Sequence, residues 1–122
     1  MIYHFDYTYA YKPGDAAPGV VMEFGTYDAV TMEVRVNGRT AAQVPWREAG
    51  RVDLTPWLVE GSNRIDIEVM GSPRNLFGPF HQKGTHNVWV DWTYFNREGS
   101  RLEPNYVVKP YGLTSPINLF LT

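Results

Sequence analysis

Cysteine is missing from the sequence, which rules out disulfides, thiolate metal ligands and a cysteine nucleophile. Charge of one sign is also scarce. Eleven Lys and Arg stand against 13 Asp and Glu, a formal net charge of −2, and the basic residues are scattered rather than gathered into the face that phosphate binding uses. Nucleic acid is therefore not expected as a partner. No apolar run approaches the roughly 20 residues of a membrane-spanning helix, so no membrane partner is expected. The first residues, Met1-Ile2-Tyr3-His4-Phe5-Asp6, lack the basic and then apolar order of a secretory signal. Helical periodicity is absent through Val69, where no 3.6-residue apolar repeat lasts the three turns of an average helix. No glycine-rich loop leads into a helix, which leaves nucleotide binding without support.

What remains is an ordinary globular composition with many rings. The chain has 122 residues, 43% hydrophobic and 20% charged, and is expected to form one domain, 1–122, that hides roughly two-thirds of its unfolded surface. Its four Trp, eight Tyr and six Phe must fill a core, line a surface that binds rings or sugars, or cover an interface.

Alternation is the dominant local signal. Tyr3, Phe5, Tyr7, Tyr9 and Tyr11 alternate with small or polar residues, predicting a long strand with one aromatic face. Pro13 to Gly19 reads as a surface loop, and Val20 to Phe24 as a short strand ended at Gly25. In Met32-Glu33-Val34-Arg35-Val36 the apolar residues again take every second position. Asn37-Gly38 follows, two residues that tolerate the positive φ of a type I′ hairpin turn, with Ala41 to Val44 returning. The stretch Val52-Asp53-Leu54-Thr55-Pro56-Trp57-Leu58 predicts a short helical turn capped by Thr55, with Pro56 at its first position. Gly61-Ser62-Asn63 then opens a third alternating strand, in which Ile65, Ile67 and Val69 face inward. Val88 to Phe95 predicts another strand, and Ile117 to Leu121 a closing one that pairs with the first strand or its neighbour.

The order of these features resembles the sugar-binding jelly-roll domain of glycoside hydrolase family two and related large bacterial glycosidases. There the core reads approximately V-x-V-N-G-K … D-I-T-x-L-L-x-x-G-x-N-x-L-x-I-x-V; here it reads VRVNGR, VDLTPWL and EGSNRIDIEV. Two later stretches extend the likeness. Asn75-Leu76-Phe77-Gly78-Pro79-Phe80-His81 resembles the N-L-L-G-P-H-H of some such domains, with Phe77 and Phe80 replacing a Leu and a His, so a role of that paired His carries over only to His81. Tyr106-Val107-Val108-Lys109-Pro110-Tyr111-Gly112-Leu113 resembles their Y-x-L-x-P-Y-G-L.

The resemblance implies an all-β fold, an antiparallel two-sheet β-sandwich of jelly-roll, galactose-binding-like type with about eight strands. It also implies a non-catalytic accessory domain inside a longer bacterial chain, beside that chain's catalytic domain. An export signal is then expected upstream, and the parent is expected to be periplasmic, cell-surface or secreted.

Three chemistries compete for the polar and aromatic residues. His81, His86, Asp91 and Glu98 are the most inviting acid–base set, but catalysis needs such groups held close with their pKa values pushed apart, and outward strand positions or turns explain Glu33, Asp53, Asp66 and Glu68 without it. No catalytic residue is assigned. His81 and His86 match no compact zinc spacing, His4 has no partner nearby in sequence, and there is no EF-hand loop, so no metal ligand or cofactor is assigned, although a structural calcium on backbone carbonyls would leave little trace. For a polysaccharide or oligosaccharide, the candidates are Trp46 and Trp89 as exposed rings, with Arg74, Asn75, His81 and His86 as polar partners. Trp57 is expected to pack beneath its own turn. Two alternatives to the accessory role stay open: a stand-alone carbohydrate-binding module and a purely structural interdomain scaffold, the latter predicting a dry aromatic patch.

Overall fold

Period-two alternation produces the larger sheet directly. The computed structural model describes residues 1–45, 50–78, 80–81 and 103–122, apart from the side chains of Arg74 and Asn75. The chain divides into two units, one formed by Met1–Gly71 with Tyr111–Thr122 and the other by Ser72–Pro110. All the strands described belong to the first unit. In chain order they are β1 (Ile2–Tyr9), β2 (Val20–Phe24), β3 (Tyr27–Asp28), β4 (Thr31–Val36), β5 (Arg39–Pro45), β6 (Arg51–Asp53), β7 (Gly61–Met70), β8 (Gly112–Leu113) and β9 (Ile117–Leu121). A four-stranded sheet runs β1-β7-β4-β5, a three-stranded sheet β6-β2-β9, and β3 pairs with β8. Every pairing is antiparallel.

Both larger sheets give their alternate residues to one core. Met32, Val34 and Val36 of β4 and Ile65, Ile67 and Val69 of β7 join Val20, Met22 and Phe24 of β2 and Val52 of β6 in a single buried cluster. Two antiparallel sheets sharing one apolar layer make a β-sandwich. The β1 face behaves as its alternation predicts: Tyr3, Phe5 and Tyr7 pack partly buried against the cluster and Tyr9 is buried within it. The Tyr9 hydroxyl donates to the Pro18 carbonyl at 2.8 Å, so its burial leaves no donor unpaired.

Asn37 and Gly38 turn the β4–β5 hairpin at φ values of 51° and 78°, as a type I′ turn requires. A register shift follows, with Val34 opposite Ala42 but Arg35 opposite Thr40. Ala41 is the extra residue of a bulge, a local twist that alternation does not announce.

Asn63, the first inward residue of β7, is a fully buried polar side chain. Its amide donates to the Val59 and Gly61 carbonyls at 2.7 and 3.0 Å, while its oxygen accepts from Val59 N–H at 2.8 Å and from the Asn37 amide at 2.9 Å. Asn37 in turn accepts from Arg64 N–H at 2.9 Å and donates its own N–H to the Arg64 carbonyl at 2.8 Å. The hairpin turn is thereby fastened to the start of β7.

Two expectations change. The 3₁₀ turn Thr55–Trp57 does carry Pro56 in its first turn, but its N-cap is Leu54 and no side chain caps it there. Thr55 is not the cap, because its hydroxyl accepts from Val20 N–H at 2.8 Å while its own N–H goes to the Asp53 carboxylate at 2.9 Å. The strands described number nine, in keeping with the expected number of about eight, and β3, β6 and β8 among them are too short to show an alternation. The closing strand β9 lies beside β2, in the opposite sheet from β1. The predicted strand from Val88 to Phe95 lies outside the described residues.

The approach to β9 fixes one glycine. Gly112 has φ 121°, and a Cβ there would stand 2.8 Å from the Tyr3 hydroxyl oxygen, which accepts from Leu113 N–H at 3.3 Å. Only glycine fits that contact.

Candidate functional site

Two groups of polar or aromatic side chains stand outside the core. The first is on the outer face of the four-stranded sheet. Register places His4 opposite Asp66 and Asp66 opposite Arg35, while Glu33 stands opposite Glu68. Like charges so placed repel, and the Arg35 guanidinium answers both by donating to Glu33 and to Glu68. Asp66 bonds His4 Nδ1 at 2.6 Å and accepts from Arg64 Nε at 3.0 Å. His4, without a partner in the local sequence, finds one 62 residues away.

These pairings set the electrostatics of that face. The bond from Arg35 holds the Glu33 carboxyl below the ordinary range, and the bonds from His4 and then Arg64 do so for Asp66; away from this face, at the end of β6, the Thr55 hydroxyl and amide do so for Asp53. A general acid needs a carboxyl pushed the other way. The face is a set of satisfied ion pairs, suited to a solvated surface rather than to proton transfer.

The second group lies in the unit Ser72–Pro110. Phe80-His81 runs alongside the segment that contains Glu103 and Val107: Val107 N–H donates to the Phe80 carbonyl at 2.6 Å and Glu103 N–H to the His81 carbonyl at 3.0 Å. His81 Nδ1 also lies 3.0 Å from the Glu103 carbonyl oxygen. Since that oxygen only accepts, Nδ1 is the donor of this bond. Between these clamps sits Tyr106, whose ring centroid is 4.6 Å from that of His81 and 6.0 Å from that of Phe80. Its side chain is nonetheless 73% exposed.

Of the residues picked from sequence, His81 alone has a described side-chain environment. Arg74 and Asn75 fall on the single helical turn Arg74–Phe77, α1. Trp46, Trp89 and His86 lie outside the described residues, as do Asp91 and Glu98 of the acid–base set. Trp57 packs partly buried against the core, as expected, with the Arg39 guanidinium 5.4 Å from its ring centroid. Among the described residues no three His, Asp or Glu side chains gather as metal ligands. The sequence reading missed Tyr106 as a site residue. Its only trace there was membership of the stretch leading to the last strand.

With this geometry in place, the chain can be set beside known proteins. No protein-family model matches it, and no curated protein sequence does. Among the solved structures that contain its fold are two glycosidases. One is a rhamnosidase from Novosphingobium sp. PP1Y, with a TM-score of 0.62 and 21% identity over 97% of this chain. The other is an FMN-binding beta-glucuronidase from Facaelibacterium prausnitzii L2-6, with a TM-score of 0.55 and 22% identity, again over 97%. The fold is one found within larger glycosidases. This chain spans only 10% of the first protein and 15% of the second.

Proposed function

We propose that this chain is a non-catalytic accessory domain of a larger bacterial glycoside hydrolase, of the jelly-roll, galactose-binding-like kind. The observation that carries this reading is the coverage: nearly the whole chain matches a small part of each glycosidase. The downward-held carboxyls of Glu33, Asp53 and Asp66 agree with it, because none is poised as a general acid. Its partner on this reading is the catalytic domain of the same parent chain, and its place is that of the parent, in the periplasm, on the cell surface or outside the cell. The domain buttresses the catalytic module and extends its contact with a polysaccharide or oligosaccharide, through Trp46 and Trp89 with Arg74, Asn75, His81 and His86.

The test is turnover by this chain alone of aryl α-L-rhamnosides, β-D-glucuronides and a panel of other aryl glycosides. None is expected, and hydrolysis of any by the folded chain would overturn the non-catalytic reading. A second reading, a stand-alone carbohydrate-binding module, is favoured by the exposed ring of Tyr106 beside His81. It predicts glycan binding of the same strength with and without a parent enzyme.

A further inference from the structure

The unit Ser72–Pro110 holds a ring in a way that core packing does not explain. Tyr106 is 73% exposed, yet it is braced on one side by Phe80 and on another by His81. The backbone on both sides of it is tied down, by Glu103 to His81 and by Val107 to Phe80. An aromatic side chain has few rotatable bonds, and bracing removes most of the freedom that remains, so little entropy is left to lose when a ligand covers it. An exposed ring that is already ordered is a prepared contact.

The surroundings of the ring indicate which ligand suits it. A dry patch made for a protein neighbour would surround Tyr106 with apolar groups. Of the two rings against Tyr106, one is instead an imidazole, whose Nδ1 donates to the Glu103 carbonyl. Asn105, exposed and adjacent in the chain, brings an amide with both donors and acceptors, and its N–H is held 3.5 Å from the Glu103 carboxylate. An exposed ring with an imidazole against it and an exposed amide next to it in the chain matches a pyranose, which offers an apolar C–H face and a rim of hydroxyls.

We propose that Tyr106 is the stacking platform of a saccharide subsite, with His81 Nε2 hydrogen-bonded to a sugar hydroxyl and Asn105 supplying the second polar contact. The proposal rests on the carbohydrate contact suggested above and locates it at a residue other than the tryptophans. His81 has a positioning role as well, because its Nδ1 bond fixes the segment that carries the ring.

The experiment is a titration of the labelled chain with methyl glycosides of glucose, galactose, mannose, rhamnose and glucuronic acid, followed by nuclear magnetic resonance of the aromatic and amide signals. Concentrations above about 10 mM are needed, since a single stacked sugar binds in the millimolar range. Saturable shifts of the Tyr106 ring and His81 signals are expected for at least one sugar. Tyr106→Ala should abolish them, whereas Tyr106→Phe, which keeps the ring face, should retain them. Slow hydrogen exchange retained at the Glu103 and Val107 amides, which bond His81 and Phe80, verifies in each variant that the unit around the ring is folded. Saturable shifts confined to Trp46 or Trp89 would overturn the platform and leave sugar contact standing. Absence of shifts anywhere would overturn both, while the accessory role would still be judged by the separate turnover assay.

Discussion

In the unit formed by Met1–Gly71 and Tyr111–Thr122, strands pair along their length and alternate residues from two sheets fill one core. In Ser72–Pro110 the described contacts are local turns, the backbone bonds of Phe80 and His81, and the rings around Tyr106. In the first unit Tyr3, Phe5, Tyr7 and Tyr9 turn inward, while Tyr111 and Phe120 are little more than half covered. The second leaves Leu76, Phe77 and Tyr106 about three-quarters exposed. The packed core and the braced, exposed ring of Tyr106 thus lie in different parts of one short chain, and substitutions should separate their effects.

The largest effect is expected at the centre of the core. Ile67→Ala removes a fully buried side chain and should cost about 2–5 kcal/mol in denaturant unfolding, with the Tyr106 environment unchanged. Asn63→Ala comes next. It removes all four hydrogen bonds made by a fully buried side chain, a loss of about 1–3 kcal/mol in the same assay. A smaller effect should follow acidification. The folded-state pKa values of Asp66, Glu33 and Asp53 lie below their unfolded values, so their contribution is complete above the ordinary carboxylate range, near pH 4, and is lost as pH falls through the depressed values. Thermal unfolding at a series of pH values should show that decline, less steeply in Asp66→Asn. The smallest change belongs to Tyr106→Ala, expected within about 0.5 kcal/mol of the parent because the side chain is exposed. A large loss there would break the contrast between the units.

Most of the first unit was legible because its residues alternate against a single core. Met32 to Val36 and Ile65 to Val69 show a period of two, and Asn37-Gly38 permits few turns other than the one found. What stayed hidden depended on residues distant in the chain. Thr55 looks like a cap until its hydroxyl is seen bonded to β2, and Asn63 looks like a turn former until its amide is seen buried against Asn37. His4 and Asp66 meet only through strand register. Of the candidate site, the resemblance brought His81 forward. Tyr106 stayed hidden because an exposed ring has no buried face to alternate against, and its bracing comes from residues more than twenty positions earlier.

The strand order β1-β7-β4-β5 has a consequence for the growing chain on the ribosome. The hairpin of β4 and β5 closes through two residues and can form as soon as it emerges. Strand β1 cannot, because Ile2 pairs with Glu68 and Tyr9 with Gly61. At about 5–20 residues per second the first strand waits roughly 3–13 s for its partner, with four rings and both strand edges uncovered. Nascent chains arrested before β7 has left the tunnel should therefore be cut by protease within β1, and longer arrested chains should resist. Over that interval the aromatic ladder that later anchors the sandwich is a target for chaperones and a risk for neighbouring chains on the same message.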